Sequence, residues 1–596
     1  MTDFGETRLA RRTPDVVKKQ ECKGLNMFRK KLASGLARAK AAETGVTSMG
    51  QLSSRRKNIT MVGVLLAMLL SALDQTIVGT ALPRIVRDLG GFNHYSWVVT
   101  AYLLASTITL PIYGKLSDMY GRKWFFFSGI VIFLIASVLC GLSQSMTQLI
   151  IFRALQGIGG GAIMGNAFAI VGDLFPPAQR GKWQGAMGGV FGLSSVIGPA
   201  LGGFLTDHAS WRWVFYVNIP LGLVALAFIG LLMPKVIPHL EDKTIDFLGA
   251  GLLILTLVPL LLGLLWGGNQ YPWGSLVENS LFGGGILALI LFLQTERVAK
   301  QPILPLDLFK SRIFTVSVAV TFLSGMAMFG AIVFIPLFAQ LVLGTSATAS
   351  GTILTPLMVG LITSSIITGQ LISKTGKYKL NAIFGMAGLA AGLLWLSTIT
   401  PETTKTGLIL RLAVTGLGLG STIPVLNIAI QNAFDNSRIG VVSASSQLFR
   451  SIGGTVGTAI FGSVLNNTLT HKTASLASNS FVQASPKLQP LTAEKTQGLL
   501  SPLSQHATLE ALAKVPGASG DAIRHSYTIL ISGAKVAFAS SVAEVFLIGS
   551  AITAIALVLT FFLPEIPLRK SDHKASEDMA PEMGQASAEN QPALAH

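Results

Sequence analysis

The sequence predicts an all-α integral membrane protein, a bundle of fourteen transmembrane helices. Its 596 residues have a mean hydropathy of +0.59 and only 12% of them are charged, whereas a soluble domain has roughly 25% charged residues. Fourteen apolar runs approach the ~20 residues that a helix needs to cross a bilayer. Lys and Arg collect in alternate connections between these runs, which is typical of a multi-pass membrane protein.

The apolar runs are even in number, so both termini fall on one side of the membrane. Basic residues such as Lys115, Arg180 and Lys374 lie in connections on that side, which we therefore predict to be cytoplasmic. The runs lie near 59–79, 97–117, 123–143, 148–173, 183–206, 213–233, 247–267, 279–295, 313–336, 350–373, 380–400, 407–431, 441–465 and 543–563.

Three segments outside the runs differ in composition. Residues 1–58 contain 14 Lys and Arg against 5 Asp and Glu. They predict a basic cytoplasmic tail, in which 25–40 is either disordered or an amphipathic helix on anionic lipid. Residues 466–540, rich in Ser, Ala and Thr, form an extracytoplasmic loop on this topology, with a surface helix expected in 521–540. Residues 564–596 predict a disordered cytoplasmic tail.

A pattern of glycines and basic residues recurs at an offset of 255 residues. GKLSDMYGRK at 114–123 matches GQLISKTGKY at 369–378. Three further glycines match at the same offset, Gly185 with Gly440, Gly198 with Gly453 and Gly202 with Gly457. The repeat predicts two parallel six-helix halves, 59–233 and 313–563, with two inserted central helices in 234–312. Halves of this kind enclose a site at their interface.

Five sequence blocks carry a resemblance to a known family: LDQTIVGTALP (73–83), GKLSDMYGRK (114–123), RALQGIGGGA (153–162), GPALGG (198–203) and WRWVFYVNIPLG (211–222). The chain resembles the major facilitator superfamily and, within it, the fourteen-span drug:proton antiporters of the EmrB/QacA type. The resemblance implies a major facilitator fold and an exporter that uses the proton gradient and no cofactor. Gly79 departs from the pattern, since the family often has Asn there.

Asp74, in the first apolar run, is the first candidate for function. An aspartate inside a membrane span costs about 2.5–3.5 kcal/mol on insertion scales and is functional by default, and burial favours its protonated form. Arg153 in the fourth run lies at the same depth, roughly 7–8 Å below the outer surface at 1.5 Å per residue, and is its expected partner. The resemblance favours proton coupling, while a purely structural ion pair stays an alternative.

Two further motifs predict conformational devices. Asp118 and Arg122 are spaced to pair on a helix, and Gly114 and Gly121 permit close helix contact and a tight turn. With Lys123 they are expected to form a latch, which the resemblance places on the cytoplasmic side; topogenic charge alone is the alternative. In the fifth run, a helix bend with close packing is expected, against ordinary glycine packing, at Gly198, Pro199, Gly202 and Gly203.

Several polar side chains inside the runs are candidates for lining a central cavity, or equally for hydrogen bonding between helices: Asn166, Asn427, Gln431, Gln447 and Arg450. Arg450, near the middle of the thirteenth run, and Arg411, expected to be buried in the twelfth, each need a partner or a water-filled cavity. Trp97, Tyr102 and Trp211 are expected in the aromatic belts at the membrane interfaces.

The predicted function is proton-coupled export of lipophilic or cationic drugs across the plasma membrane, here a bacterial inner membrane. Transport of amino acids, metabolites or lipids is an alternative, and a non-transporting receptor or scaffold is another. The sequence has no GxxxxGK[ST] loop, no Cys/His cluster and no Ser–His–Asp grouping, so we expect neither ATP hydrolysis, nor a metal, nor an enzyme. Nucleic acid is not an expected partner, and docking of a periplasmic adaptor on 466–540 stays open.

Overall fold

The structure is a computed structural model that describes residues 49, 52–90, 97–236, 244–267, 270–345, 353–485, 488–514 and 517–568. Most of the two tails, including 25–40, lies outside the described residues. Within the described ranges, fourteen helices are long and apolar enough to cross a membrane. This is the number that the hydropathy pattern predicts, and the all-α membrane fold is confirmed.

The fourteen helices are numbered here in chain order. They are α1 Ser54–Leu89, α2 Trp97–Tyr120, α3 Arg122–Leu142, α4 Met146–Leu174, α5 Pro177–His208, α6 Trp213–Leu232, α7 Phe247–Trp266, α8 Leu276–Val298, α9 Arg312–Leu341, α10 Thr355–Thr375, α11 Lys379–Leu396, α12 Lys405–Ala433, α13 Ile439–Thr473 and α14 Gly517–Phe561. We call the end of the bundle with the connections at Gly121, 175–176 and Gly376 the basic end, and the other the opposite end.

The same packing order occurs twice along the chain. In the first six helices α1 packs on α5, and α4 packs on both α2 and α3. In the last six, α9 packs on α13, and α12 packs on both α10 and α11. Helices at equivalent places in the predicted repeat therefore make equivalent contacts. The chain positions at which each half begins and ends stay a prediction.

The two inserted helices, α7 and α8, form a hairpin whose members pack mainly on each other. The hairpin also contacts both halves, because Leu253 of α7 belongs to one apolar cluster with Ile108 of α2 and Leu448 of α13. The insertion therefore lies beside the seam between the halves.

Glycines allow the two halves to approach closely through α5 and α10. A Cβ atom on Gly181 would collide with the backbone of Gly369, and the reverse also holds. Further along the same pair of helices, Gly185 lies against Ile366 and Gly192 against Met358. This contact begins at the basic end and joins the halves there.

The segment 466–540 is largely helical, which corrects the expectation of a loop with one surface helix. α13 continues to Thr473 and α14 already begins at Gly517, and three short helices lie between them, Ser480–Gln483, Ala493–Leu500 and Pro502–Ala513. Val482, Leu491 and Leu530 form a small apolar core in this segment. Lys472 and Glu544 pair at 2.6 Å and tie the extended helices together.

Candidate functional site

Asp74 lies on α1 and is fully buried. Its Oδ2 accepts a hydrogen bond of 2.5 Å from Nη1 of Arg153 on α4. The guanidinium lies 4.4 Å above the ring of Tyr102, and its Nε donates to the carbonyl of Val98 at 3.1 Å. The two charged residues that the sequence places at equal depth are therefore a buried ion pair.

Two amide side chains complete the surroundings of the carboxylate. Gln156 and Asn218 each donate to Oδ1 of Asp74 at 2.9 Å. Both also donate to the hydroxyl of Ser137, at 3.2 and 3.0 Å respectively. The network joins α1, α3, α4 and α6, and the carboxylate accepts one hydrogen bond from an arginine and two from amides.

Local structure explains how these side chains converge. Gln156 follows Arg153 by three residues, so both lie on one face of α4. Asn218 follows a step in α6 at Val217, where the short turn Trp213–Tyr216 ends and the longer helical segment begins. Ser137 donates to the carbonyl of Phe215 at 2.9 Å and so fixes this step against α3.

Two aromatic residues do not lie where the sequence predicts. Tyr102 and Trp211 are 1% and 0% exposed and are not part of an interfacial belt. Tyr102 shares a hydrogen bond of 2.8 Å with Ser71 beneath the Arg153 guanidinium. Trp211 donates to Asp88 at 3.1 Å. The hydroxyl of Tyr102 and the indole N–H of Trp211 each have a hydrogen-bond partner inside the protein, so neither side chain has to reach the membrane interface.

The latch residues connect the two halves at the basic end. Asp118 pairs with Arg122, and its two carboxylate oxygens accept the backbone N–H groups of Gly440 and Val441 at 3.1 and 2.7 Å. Those N–H groups belong to the first turn of α13, where a negative charge is favourable. Arg122 also donates to Asp173 at 2.8 Å. One carboxylate on α2 therefore caps a helix of the other half.

The two glycines of the latch, Gly114 and Gly121, are required for different structural reasons. A Cβ on Gly114 would collide with Ala444 of α13, so this position sets the approach of α2 to the other half. Gly121 has φ +98°, a conformation that L residues rarely adopt, and it makes the turn from α2 to α3. Lys123 is half-buried at the start of α3.

The residues predicted to bend the fifth helix behave differently from one another. A Cβ on Gly198 would collide with Thr76, and one on Gly202 with Thr80 and Ile77, all on α1. Gly203 has open space beside it. Pro199 lies inside α5, which is helical without interruption from Pro177 to His208.

The candidate cavity residues are packed among helices in this conformation, and their lining role stays a prediction. Asn166 donates to Ala162 of its own helix, and Gln431 donates to Phe168 of the other half and to Ser443. Four of the five side chains, all except the half-buried Gln447, are at most 7% exposed: Asn166, Asn427, Gln431 and Arg450.

Arg411 is not buried in mid-span, which corrects the expectation from the sequence. It lies six residues after the start of α12, half-exposed, and donates to the carbonyl of Trp395 at 3.0 Å and to Thr398 at 3.2 Å. Its guanidinium also faces the ring of Trp395 at 5.4 Å. Its partners are at the end of α11, so it needs no cavity.

Two similar helical halves, joined at one end and with a buried charge pair in one of them, form the architecture of a secondary transporter. The chain belongs to the Major Facilitator Superfamily, whose family model matches residues 64–458. This confirms the resemblance and the fold, and a member of a transporter family is not an enzyme.

The chain is also similar to individual proteins of this superfamily. It is 41% identical to the multidrug transporter protein MdtP of Bacillus subtilis, over 90% of this chain and 98% of that protein. It is 44% identical to multidrug resistance protein 3 of the same organism, over 69% and 80%. Among solved structures, the proton:xylose symporter XylE matches with a TM-score of 0.55 at 13% identity, covering 88% of this chain and all of that one.

Proposed function

We propose that this transporter exports lipophilic or cationic drugs in exchange for protons, without a cofactor. The observation that carries the proposal is the ion pair of Asp74 and Arg153, which is buried in the first half. A carboxylate at this depth is costly for a protein that does not use it. The printed names of the two Bacillus relatives, a multidrug transporter and a multidrug resistance protein, support the drug substrate.

The geometry suits a carboxyl group that alternates between two protonation states. When ionised, Asp74 accepts hydrogen bonds from Arg153, Gln156 and Asn218. Protonation removes the charge that holds Arg153 and leaves fewer acceptor positions for the three donors. Helix α1, which bears Asp74, is then held less firmly to α4 and α6, which bear the donors. Uptake of a proton at Asp74 is thereby linked to the packing of the first half.

The proton gradient supplies enough free energy for such an exchange. One charge that crosses a potential of 100 mV provides about 2.3 kcal/mol. Because roughly 1.4 kcal/mol corresponds to a factor of ten, one net proton supports a concentration ratio of about fifty. Export by this route requires no ATP.

The proposed location is the cell membrane of a bacterium, with the basic end and both termini in the cytoplasm. Arg180, Lys182, Lys374 and Lys377 lie at the basic end, and cytoplasmic connections are rich in such residues. On this orientation Asp118 joins the halves on the cytoplasmic side. The bundle described here is then closed towards the cytoplasm at that contact.

Ethidium efflux from energised cells tests the proposal. The intact protein is compared with Asp74→Asn, each with and without a protonophore, and with Asp207→Asn as a control, because Asp207 is exposed at the end of α5. We expect efflux to collapse in the Asp74 variant and in uncoupled cells and to persist in the control. Full efflux by Asp74→Asn removes that residue from the coupling path. Absence of efflux from the intact protein favours a metabolite transporter or a receptor.

A further inference from the structure

Arg450 on α13 differs from the other arginines buried in the described part of the bundle. Arg122 and Arg153 each form an ion pair with an aspartate, and Arg180 donates to two backbone carbonyls. Arg450 is 7% exposed, and its Nη1 donates to Oε1 of Gln447 on its own helix at 3.0 Å. Among the described residues, no carboxylate forms an ion pair with it, and its Nε has no hydrogen-bond partner.

The guanidinium of Arg450 lies near the boundary between the halves. Gly440, Ala444 and Gln447 share one face of α13 at helical spacing, and the first two of them contact Asp118 and Gly114 of the other half. Gln447, which is half-buried, therefore faces the same boundary and holds Nη1 there. Arg450 follows the start of α13 by about 16 Å of helix, roughly half the thickness of the apolar part of a bilayer.

Two further buried groups without a partner in the described part of the chain lie on neighbouring helices, about one turn from the level of Arg450. Nδ2 of Asn427 on α12 and the hydroxyl of Thr321 on α9 are buried without a hydrogen-bond partner among the described residues. Oδ1 of Asn427 accepts from Ser446, one turn before Arg450, at 3.2 Å. Thr321 lies one turn before Gly325, where a Cβ atom would collide with the backbone carbonyl of Arg450. Three helices thus bring such groups to within about one turn of the level of Arg450.

What this cluster lacks, among the described residues, is a negative charge. In the first half the donors around Asp74 have that carboxylate to bind. Around Arg450 the donors face no anion of the described protein, and an unpaired buried cation inside a membrane protein marks a ligand or ion path. The planar fork of a guanidinium matches the two oxygens of a carboxylate.

We infer that Arg450, held by Gln447, binds an anionic group of the exported compound, a carboxylate being the best match. The inference rests on the proposed export function and narrows its substrate class. Lipophilic compounds that carry a carboxylate, zwitterions included, are recognised through Arg450. Compounds with only a positive charge have no group that Arg450 can bind, and their export does not depend on it.

Rhodamine B and its ethyl ester separate these two classes, because they share one aromatic body and differ in whether the carboxyl group is free. Efflux of both dyes is measured from energised cells that contain the intact protein, Arg450→Gln or Arg450→Lys at matched amounts. We expect Arg450→Gln to lose efflux of the free acid roughly tenfold, the size of a charge-assisted hydrogen bond. Efflux of the ester stays within twofold, and Arg450→Lys restores part of the acid efflux because it keeps the charge.

Arg411→Gln is the matched control, since Arg411 also lies in the second half but is bound to the end of α11. An equal fall for acid and ester in Arg450→Gln, or no change in their ratio, overturns the inference. If the intact protein exports ethidium and the ester but not the acid, the inference also fails while the export function stands.

A binding measurement decides the case in which no dye is exported. The purified full chain is titrated against rhodamine B and against its ester by fluorescence anisotropy. We expect Arg450→Gln to bind the acid roughly tenfold more weakly and the ester equally well. Equal weakening of binding for both dyes, or no weakening, shows that Arg450 does not bind the carboxylate.

Discussion

Asn218 and Gln156 are the amide side chains that bind the Asp74 carboxylate, and in the proposed proton coupling they meet it in both protonation states. In the structure both donate N–H groups to Oδ1 of Asp74, which is favourable only when that oxygen is free to accept. Oδ1 of Asn218 is buried and has no partner among the described residues. If the amide turns over, that oxygen can accept a hydrogen bond from the O–H of a neutral Asp74. One amide can therefore serve either protonation state.

The substitution Asn218→Ala tests this role. It leaves Oδ1 of Asp74 with one amide donor instead of two. We expect proton-driven ethidium efflux to fall about tenfold, since a hydrogen bond to a charged group contributes roughly 1.5–3 kcal/mol. The measurement is the initial rate of efflux in membrane vesicles that contain matched amounts of protein.

The control for this prediction is Asn166→Ala, because Asn166 is also a buried amide but donates to its own helix at Ala162. Its rate of efflux should match that of the intact protein. Full efflux by Asn218→Ala contradicts the prediction. An equal loss of efflux in both variants does so as well.

Charged residues of this site were predictable from the sequence, and its amides were not. A charge inside an apolar run is conspicuous, and equal depth suggests that Asp74 and Arg153 are partners. Gln156 and Asn218 stand in spans with other polar residues, and nothing in their spacing indicates that α6 brings Asn218 to α1. Their selection depends on helix packing, which spacing along one chain does not encode. Gln156 alone had a local signal, as it shares a helix face with Arg153.

At the scale of helices, glycines determine how closely α1 and α5 approach. Gly198 and Gly202 face α1 and leave no room for a side chain, whereas the adjacent Gly203 faces open space. The sequence predicts a glycine-rich close contact in α5 but cannot separate these glycines, because the helix rotation that distinguishes them depends on the partner. Small residues at such contacts replace the hydrophobic driving force that helices lack inside lipid.

The pair Gly202→Leu and Gly203→Leu tests that assignment with one chemical change at adjacent positions. Gly202→Leu forces α5 away from Thr80 and Ile77, and overpacking of this kind costs roughly 1–3 kcal/mol. We expect a lower midpoint of thermal unfolding in detergent and a loss of efflux. Gly203→Leu should leave both near those of the intact protein. Equal destabilisation by the two substitutions contradicts the assignment.

The two incorrect predictions about helix ends have one cause, because polarity along the chain does not locate the ends of helices. The segment 466–540 is polar enough to lie outside the membrane, and its polarity predicts a loop. Its many Ala and Leu residues nevertheless favour helix. Arg411 was expected in mid-span because the apolar run around it is long. The helix begins at Lys405, so the side chain lies near an end and binds carbonyls there.

For the whole molecule, the two halves share a packing order but differ in how their polar groups are satisfied. In the first half, Asp74 accepts hydrogen bonds from three side chains on two other helices, α4 and α6. In the second, Arg450 and Asn427 keep buried N–H groups without partners among the described residues. A repeat of helices therefore does not repeat the chemistry. Within the function proposed above, the first half contains the proton-binding site and the second half contains a binding site for a group of the substrate.

The orientation of the whole bundle can be tested through cysteines. On the proposed topology Ser504, exposed on a short helix between α13 and α14, lies outside the cell, whereas Lys377, exposed at the basic end, lies in the cytoplasm. Ser504→Cys and Lys377→Cys are made in a background of Cys22→Ser and Cys140→Ser, because these two positions hold the chain's cysteines. A membrane-impermeant maleimide should label the cysteine at 504 in intact cells, and the cysteine at 377 only after the cells are permeabilised. A separate variant that keeps Cys22 and carries only Cys140→Ser provides an independent reporter for the basic segment 1–58, and Cys22 should behave like position 377. Labelling in intact cells at 377 but not at 504 would show the opposite orientation, with the Asp118 contact on the outer face. Labelling of both positions in intact cells would rule out an odd number of membrane crossings between them.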